Sequence, residues 1–369
     1  MARANTLPMV DIDECKKLIR TIGDKASVMI ISEPGVGKSS ILKALAEDFG
    51  DKWRSPKDEY PEDKYDYIYV DCPNKELMDV AASIPNHQSK TLEYYVSSLF
   101  KLDNGKPKVI MLDEMLKAPK MMQVLFTRLV LERFVGDKAL PEGSLLFITS
   151  NNATDGVGDS MLAHVGNRIV KVHMAKPTAL QWSQWATANN ISSSIRTWVV
   201  MNPRVMASYI DGDQDDNEFI FKPSSTVKQF ASPRSLAMAD PIVRNSDILG
   251  ENTTLAALCG TIGEAAARSL TATIRLEKNI AKYEDIIADP LGAVCPQEDV
   301  AALLMTMFQG VDRIDSHDEL SKFMTWVERV KREEVQSIFF TLMMRMKIKL
   351  AGQNDKIRQW AKTNLELMG

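Results

Sequence analysis

The stretch Val28-Met29-Ile30-Ile31-Ser32-Glu33-Pro34-Gly35-Val36-Gly37-Lys38-Ser39-Ser40 runs from four apolar residues into a turn of small residues and then into a helical pattern. The apolar run predicts a buried strand, and Ser39 to Phe49 a helix. Between them lies the phosphate-loop pattern of Gly, four residues, then Gly-Lys-Ser/Thr, with Ser32 standing where the first glycine is usual. Gly35 and Gly37 let the chain turn tightly enough for successive N–H groups to point inward as an anion nest. The helix start behind them adds partial positive charge. Lys38 has the reach to meet β- and γ-phosphates, and the Ser39 hydroxyl suits Mg²⁺. Position 32 serves the turn, so serine there removes no phosphate ligand.

Further apolar runs follow at 67–70, 109–112, 145–148 and 169–172, with a helical pattern over Met121 to Glu132. Continuous apolar strands alternating with helices predict a five-stranded parallel sheet covered on both faces. The run Val109-Ile110-Met111-Leu112 ends in Asp113-Glu114. A phosphate loop needs a metal-anchoring acid at a neighbouring strand end. Asp113 is the candidate for the Mg²⁺ shell, and Glu114 for orienting and polarising the attacking water.

After Lys176-Pro177 the pattern becomes helical: 180–188, 195–200, 255–274, 300–308, 320–330 and 335–348. Leu255, Leu258, Cys259, Ile262, Ala266 and Leu270 form one stripe at helical spacing, which predicts a single helix over 255–274. Trp182 and Trp185 read as core anchors. Arg345, Lys347 and Lys349 form a modest basic cluster, read as a solvated helix face. Two charged segments, 52–66 and 211–225, read as loops long enough to be functional or mobile.

The 369 residues suggest two to three domains; 45% are apolar and 25% charged, ordinary for a globular chain with a real core. A net charge of −4 creates no overall field toward nucleic acid or anionic lipid. Cys15, Cys72, Cys259 and Cys295 are scattered without a CxxC pair, which argues for free thiols in a reducing compartment. The first residues carry no signal-peptide run, and no apolar stretch has membrane-spanning length. The expectation is a cytoplasmic protein with no membrane partner.

With these pieces in view, the chain resembles AAA+ ATPases, and among them the MoxR-like group, over roughly residues 1 to 290. The resemblance rests on Glu33 to Ser39, Leu112-Asp113-Glu114 followed by Ala118-Pro119, Phe147-Ile148-Thr149-Ser150-Asn151-Asn152, Asn167-Arg168-Ile169 and Ser232-Pro233-Arg234-Ser235, in that order. It implies a nucleotide-binding core at 1–176, an α-helical lid at 177–290 and a C-terminal helical extension at 291–369. It further implies ATP and Mg²⁺ as ligands. Glu33, Pro34, Gly35, Val36, Gly37, Lys38, Ser39 and Ser40 would line the nucleotide, and Ser39 and Asp113 would serve the metal.

By the same resemblance Asn152 looks like the sensor-1 residue, with Asn151 its neighbour. Arg168 looks like an arginine finger directed at the adjacent subunit's nucleotide, and Arg234 like the sensor-2 arginine. Arg128 and Arg133 are rival trans-acting cations. Two departures stand out. Leu116-Lys117 replaces an Asn-Arg pair, and the segment 132–143, where the group has a hairpin, looks short. The implied function is ATP hydrolysis by a ring, of six subunits by resemblance, that remodels a separate protein partner, with a protein carrying a von Willebrand factor A domain as one candidate. A nucleic-acid motor or loader, and a nucleotide-gated scaffold with little turnover, are the alternatives.

Overall fold

The computed structural model describes residues 8–53, 67–151, 166–226, 229–276 and 280–364. The chain divides into two compact units, Met1–Lys176 and Pro177–Gly369.

The first unit is a parallel α/β structure. Its elements are β1 (Met9–Val10), α1 (Ile12–Ile22), β2 (Val28–Ser32), α2 (Lys38–Trp53), β3 (Tyr67–Asp71), β4 (Ala81–Asn86), β5 (Thr91–Val96), β6 (Val109–Asp113), α3 (Lys120–Glu132), β7 (Phe134–Val135), β8 (Lys138–Ala139), β9 (Leu145–Asn151) and β10 (Val170–Met174). Six strands form one sheet in the order β1-β10-β2-β9-β6-β3, and every neighbouring pair is parallel. The five expected strands are all present. The sixth, β1, is a two-residue edge strand, too short for any periodic signal to announce it.

Alternation of side chains sorts the sheet into two cores. Val28, Ile30, Val109, Met111, Leu145 and Phe147 pack with Cys15 and Ile19 of α1 and Ile41, Leu42 and Leu45 of α2. Met29, Ile110, Leu112, Leu146 and Ile148 pack with Met122, Phe126, Leu129 and Val130 of α3. Helix α1 opens on a capping box, with the Asp11 side chain accepting from Asp13 and Glu14 amides and Glu14 returning to the Asp11 amide. Two hairpins were not anticipated as such. β4–β5 pairs residues 81–86 with 91–96, and β7–β8 turns through Gly136 at φ 60°. The short segment 132–143 is therefore a tight hairpin.

The second unit is helical: α4 (Ala179–Ala188), α5 (Ser193–Met201), α6 (Pro233–Arg244), α7 (Ser246–Leu249), α8 (Glu251–Ile262), α9 (Glu264–Leu276), α10 (Tyr283–Ala288), α11 (Val300–Arg313), α12 (His317–Val327), α13 (Glu333–Met346), α14 (Ile348–Ala351) and α15 (Asp355–Thr363). It holds two apolar clusters, one from Trp182 to Leu270 and one from Ala281 to Ile357. A buried Arg196 fork joins them, with Nη1 and Nη2 at 3.1 and 2.5 Å from the Asp312 carboxylate and the guanidinium over the Phe308 ring. Trp182 is buried as expected, but Trp185 is 42% exposed and is not a core anchor. The basic cluster is partly tied down, since Arg345 donates to Gln184 and Lys347 lies 3.0 Å from Asp315. The 211–225 loop is anchored rather than loose: Asn217 is buried and donates to the Arg204 carbonyl, while Phe221 packs between Tyr209 and Phe230. Within 52–66, residues 54–66 lie outside the described residues. No described helix is long and apolar enough to cross a membrane.

The single helix expected over 255–274 is two, α8 and α9. Gly263 separates them at φ 84° and ψ 160°. The apolar stripe continues through the break because both helices pack on the same cluster, so periodicity alone hides it. A Cβ on Gly263 would stand 2.8 Å from the Gln229 carbonyl oxygen, in a backbone region that side chains rarely adopt. Gly263→Ala is expected to lower the stability of this unit by about 2 kcal/mol through strain and this clash. Denaturant unfolding monitored by circular dichroism measures it, and an unchanged midpoint would contradict the account.

Candidate functional site

Strands β2, β6 and β9 lie side by side and end on the same edge of the sheet, so the segments following them converge. That edge carries the loop after β2, the Asp113-Glu114 pair and Asn151.

The loop is built as its sequence suggests. Gly35 and Gly37 have φ of 78° and 105°, flanking Val36. Val36 is buried in the core with α1 and α2, which anchors the turn from below. No side-chain atom comes within 3.4 Å of a Cβ built on Gly37, so backbone conformation rather than space requires glycine there. The Ser40 amide and hydroxyl both donate to the Gly37 carbonyl, at 2.9 and 2.7 Å, closing the first turn of α2. Ser40 thus has a structural partner inside the loop, and Ser39 is half-buried beside it.

Lys38 is buried, and its Nζ donates to the Ser32 carbonyl at 3.3 Å, the Ser32 hydroxyl at 3.0 Å, the Glu33 carbonyl at 3.1 Å and Asn151 Oδ1 at 2.8 Å. Ser32 therefore does more than stand in for a turn glycine, because its hydroxyl helps hold the lysine. Asn151 continues the chain of contacts: its Nδ2 donates to Glu114 Oε1 at 2.8 Å. One amide side chain thus links the loop lysine to the carboxylate on the next strand but one. Asn152 lies outside the described residues. Asn151 was only its neighbour in the sequence reading, since two consecutive asparagines at a strand end look alike until the pleat assigns their faces.

Glu114 is held by more than Asn151. Its backbone is left-handed, at φ 51° and ψ 37°, a costly conformation for glutamate. Its Oε2 pairs with Lys117 Nζ at 2.7 Å, across the short 3-10 turn Met115–Lys117. Lys117 thus places a cation on the carboxylate. Asp113 is clamped by two hydroxyls, with Thr149 donating to Oδ1 and Tyr69 to Oδ2, the latter at 2.7 Å. The Thr149 hydroxyl also accepts from the Glu114 amide at 3.3 Å. Thr149 and Tyr69 escaped the sequence reading. Their only signal is polarity within β9 and β3, and it acquires meaning once β6 is known to lie between those strands.

The arginines divide by location. The parallel register sets Val170 opposite Val28, so Arg168 sits where the strands begin. The loop after β2 lies where they end, roughly 20 Å away at about 3.3 Å per residue. Arg168 is exposed and too far to serve the loop of its own chain. Arg128 is engaged locally, with Glu132 at 3.1 Å, the Gly136 carbonyl at 2.7 Å and the Phe134 ring beneath it. Arg133 donates to the Gly23 carbonyl at 2.8 Å, and burial pulls its pKa down. Both brace their own unit. Arg234 belongs to the second unit and is exposed in the first turn of α6, behind the Ser232 cap. A cation there opposes the helix dipole, so helix stability does not account for it.

No family model matches the chain, and no curated protein does. Solved structures similar to it include a candidate ATPase from Cytophaga hutchinsonii, at 12% identity over 90% of this chain and 81% of that one, TM-score 0.31. The closed state of Hsp104 with ATPγS and FITC-casein matches at 13% over 64% and 39%, TM-score 0.31. NtrX from Brucella abortus in complex with ATP matches at 13% over 73% and 70%, TM-score 0.30. Identity this low and TM-scores this small assign the chain to no family.

Cys72 reports on the floor of the site. It is buried next to Asp113 and Asp71, and burial foremost, then those two charges, pushes its thiol far above the ordinary range. Burial and the raised thiol both suppress its reactive thiolate, so native alkylation by iodoacetamide should be more than about tenfold slower than at half-buried Cys259. Peptide mass spectrometry after timed labelling checks this, and equal rates at the two cysteines would be inconsistent with the packing.

Proposed function

We propose that this chain is an ATP hydrolase of the AAA+ type, working as a ring that remodels a separate protein partner. The observation that carries the reading is the unbroken line Lys38–Asn151–Glu114, each contact 2.8 Å, at the edge where the phosphate loop and the acidic strand end meet. A loop lysine alone suits many phosphate ligands. A carboxylate held within one side chain of it gives hydrolysis its second requirement.

The residues fit the nucleotide and its metal. Two left-handed glycines about a buried Val36 make an anion-binding turn, and Lys38 supplies a fixed cation. Among the described residues no cluster of three or more His, Cys, Asp or Glu gathers to hold a metal. Mg²⁺ is commonly held by one or two protein oxygens, phosphates and water. Ser39 and Asp113 are the oxygens this chain offers, and Thr149 and Tyr69 hold the Asp113 carboxylate in one orientation. Bound Mg²⁺ would neutralise charge on the β- and γ-phosphates. Lys38 would exchange its loop carbonyl partners for phosphate oxygens. Glu114 would accept a hydrogen bond from water and orient it toward the γ-phosphorus, with Asn151 keeping carboxylate and lysine in register.

The position of Arg168 at the far end of the sheet supports a role across a subunit boundary, where a fixed cation meets charge developing on a neighbour's phosphates. Arg234 is proposed as a second, lid-borne cation. Shared sites favour a closed ring, six by the resemblance noted above. The partner protein, with a von Willebrand factor A domain as one candidate, is to be sought by capture on the Glu114→Gln form held with ATP.

Glu114→Gln is expected to retain ATP and to turn it over at least about 10²-fold more slowly. Equal near-zero rates in both proteins would instead leave a nucleotide-gated scaffold. Arg168→Ala should bind ATP normally and lose about 10³-fold in turnover. Mixing it with Lys38→Ala subunits should restore part of the activity, because mixed interfaces reunite an intact loop with an intact arginine. Absence of recovery in co-assembled mixtures would remove the trans role.

A further inference from the structure

A carboxylate within a phosphate-binding turn is electrostatically awkward. Glu33 follows Ser32 in the loop and is buried. Its backbone carbonyl accepts from Lys38 at 3.1 Å, so residue 33 is part of the lysine's cradle. Its side chain has another cation: Glu33 Oε2 lies 2.8 Å from Lys176 Nζ, with both side chains only 3% exposed. Lys176 is the last residue of the first unit, just beyond β10. Nothing in the hydrolytic chemistry above uses this pair.

Stability is a weak reason for such an arrangement. A buried ion pair roughly breaks even against apolar residues of the same shape, whereas loss of one partner leaves an uncompensated charge that is strongly unfavourable. Placement is a better reason. An unpaired Glu33 would put negative charge into the loop that must receive several more, in surroundings too dry to screen it. A neutral pair removes that repulsion and ties the loop backbone at residue 33 to a rigid strand end.

We infer that Lys176 is a positioning residue of the nucleotide site: it neutralises and anchors Glu33 so that the loop accepts a nucleoside polyphosphate. The inference rests on the nucleotide-binding reading and adds a sign to it. Removing the cation leaves an excess anion in the loop, and removing the anion leaves an excess cation. The two single substitutions should therefore move polyphosphate affinity in opposite directions, which loss of packing alone would not do.

Calorimetric titration of the full chain with ATP, ADP and AMP in the presence of Mg²⁺ tests this on Lys176→Met, Glu33→Gln and the double variant. Lys176→Met should weaken ATP binding about tenfold or more, ADP less and AMP least, as expected for one charge at an effective dielectric near 20. Glu33→Gln should bind ATP more tightly than the wild type, and the double variant should return close to wild type. Equal weakening of all three nucleotides by both single variants would overturn the inference, as would wild-type affinity in Lys176→Met. If circular dichroism shows Lys176→Met unfolded, Glu33→Gln alone decides: tighter ATP binding supports the inference, and equal or weaker binding overturns it. Wild-type protein that takes up no ATP would instead overturn the nucleotide-binding reading, and this inference with it.

Discussion

The hydrogen bonds that Asn151 makes in two directions are the contact on which the site depends. They exist because β2, β9 and β6 are adjacent and parallel, so that residues far apart in the chain finish at one edge. A parallel sheet requires a crossover for each strand, and the crossovers cover both faces with helices. The edge where the strands stop is then the place where irregular backbone and polar side chains gather without disturbing either core. Asn151, Asp113 and Glu114 are there, each at or next to the end of a strand whose body is buried, and Lys38 opens the helix that follows the loop after β2.

Much of this was legible in the residues. Apolar runs at five places predicted five strands, because strands covered on both faces must be apolar throughout. The turn at 32–39 was legible because left-handed backbone admits few residue types, and the two glycines mark it. Asp113 and Glu114 stood out as paired charges ending an apolar run. The roles of Thr149, Tyr69 and Asn151 were not legible. Their chemistry depends on which strands are neighbours, and strand order is a property of the whole sheet. Lys117 was visible only as a departure from a pattern, and its contact with Glu114 depends on the turn between them. Periodicity likewise merged α8 and α9, since a helix break that keeps the same buried face leaves the apolar spacing intact.

The two units solve different problems with buried charge. In the second, Arg196 forks onto Asp312 and stacks on Phe308, joining two apolar clusters. There the geometry is bidentate and the pair is fixed in one arrangement. In the first unit the charges lie in and around a loop, and lysine takes the place of arginine at both Lys38 and Lys176. A compact ammonium on a flexible stem can change partners where a planar fork is committed to one.

The left-handed backbone at Glu114 carries a consequence for how this chain can drift. Glycine would occupy that geometry without the steric cost that glutamate bears, on the order of 1 kcal/mol. Thermodynamics therefore pulls this position toward a residue with no side chain at all. A carboxylate that persists against such a gradient marks a spot where the molecule is less sturdy than its own architecture would allow.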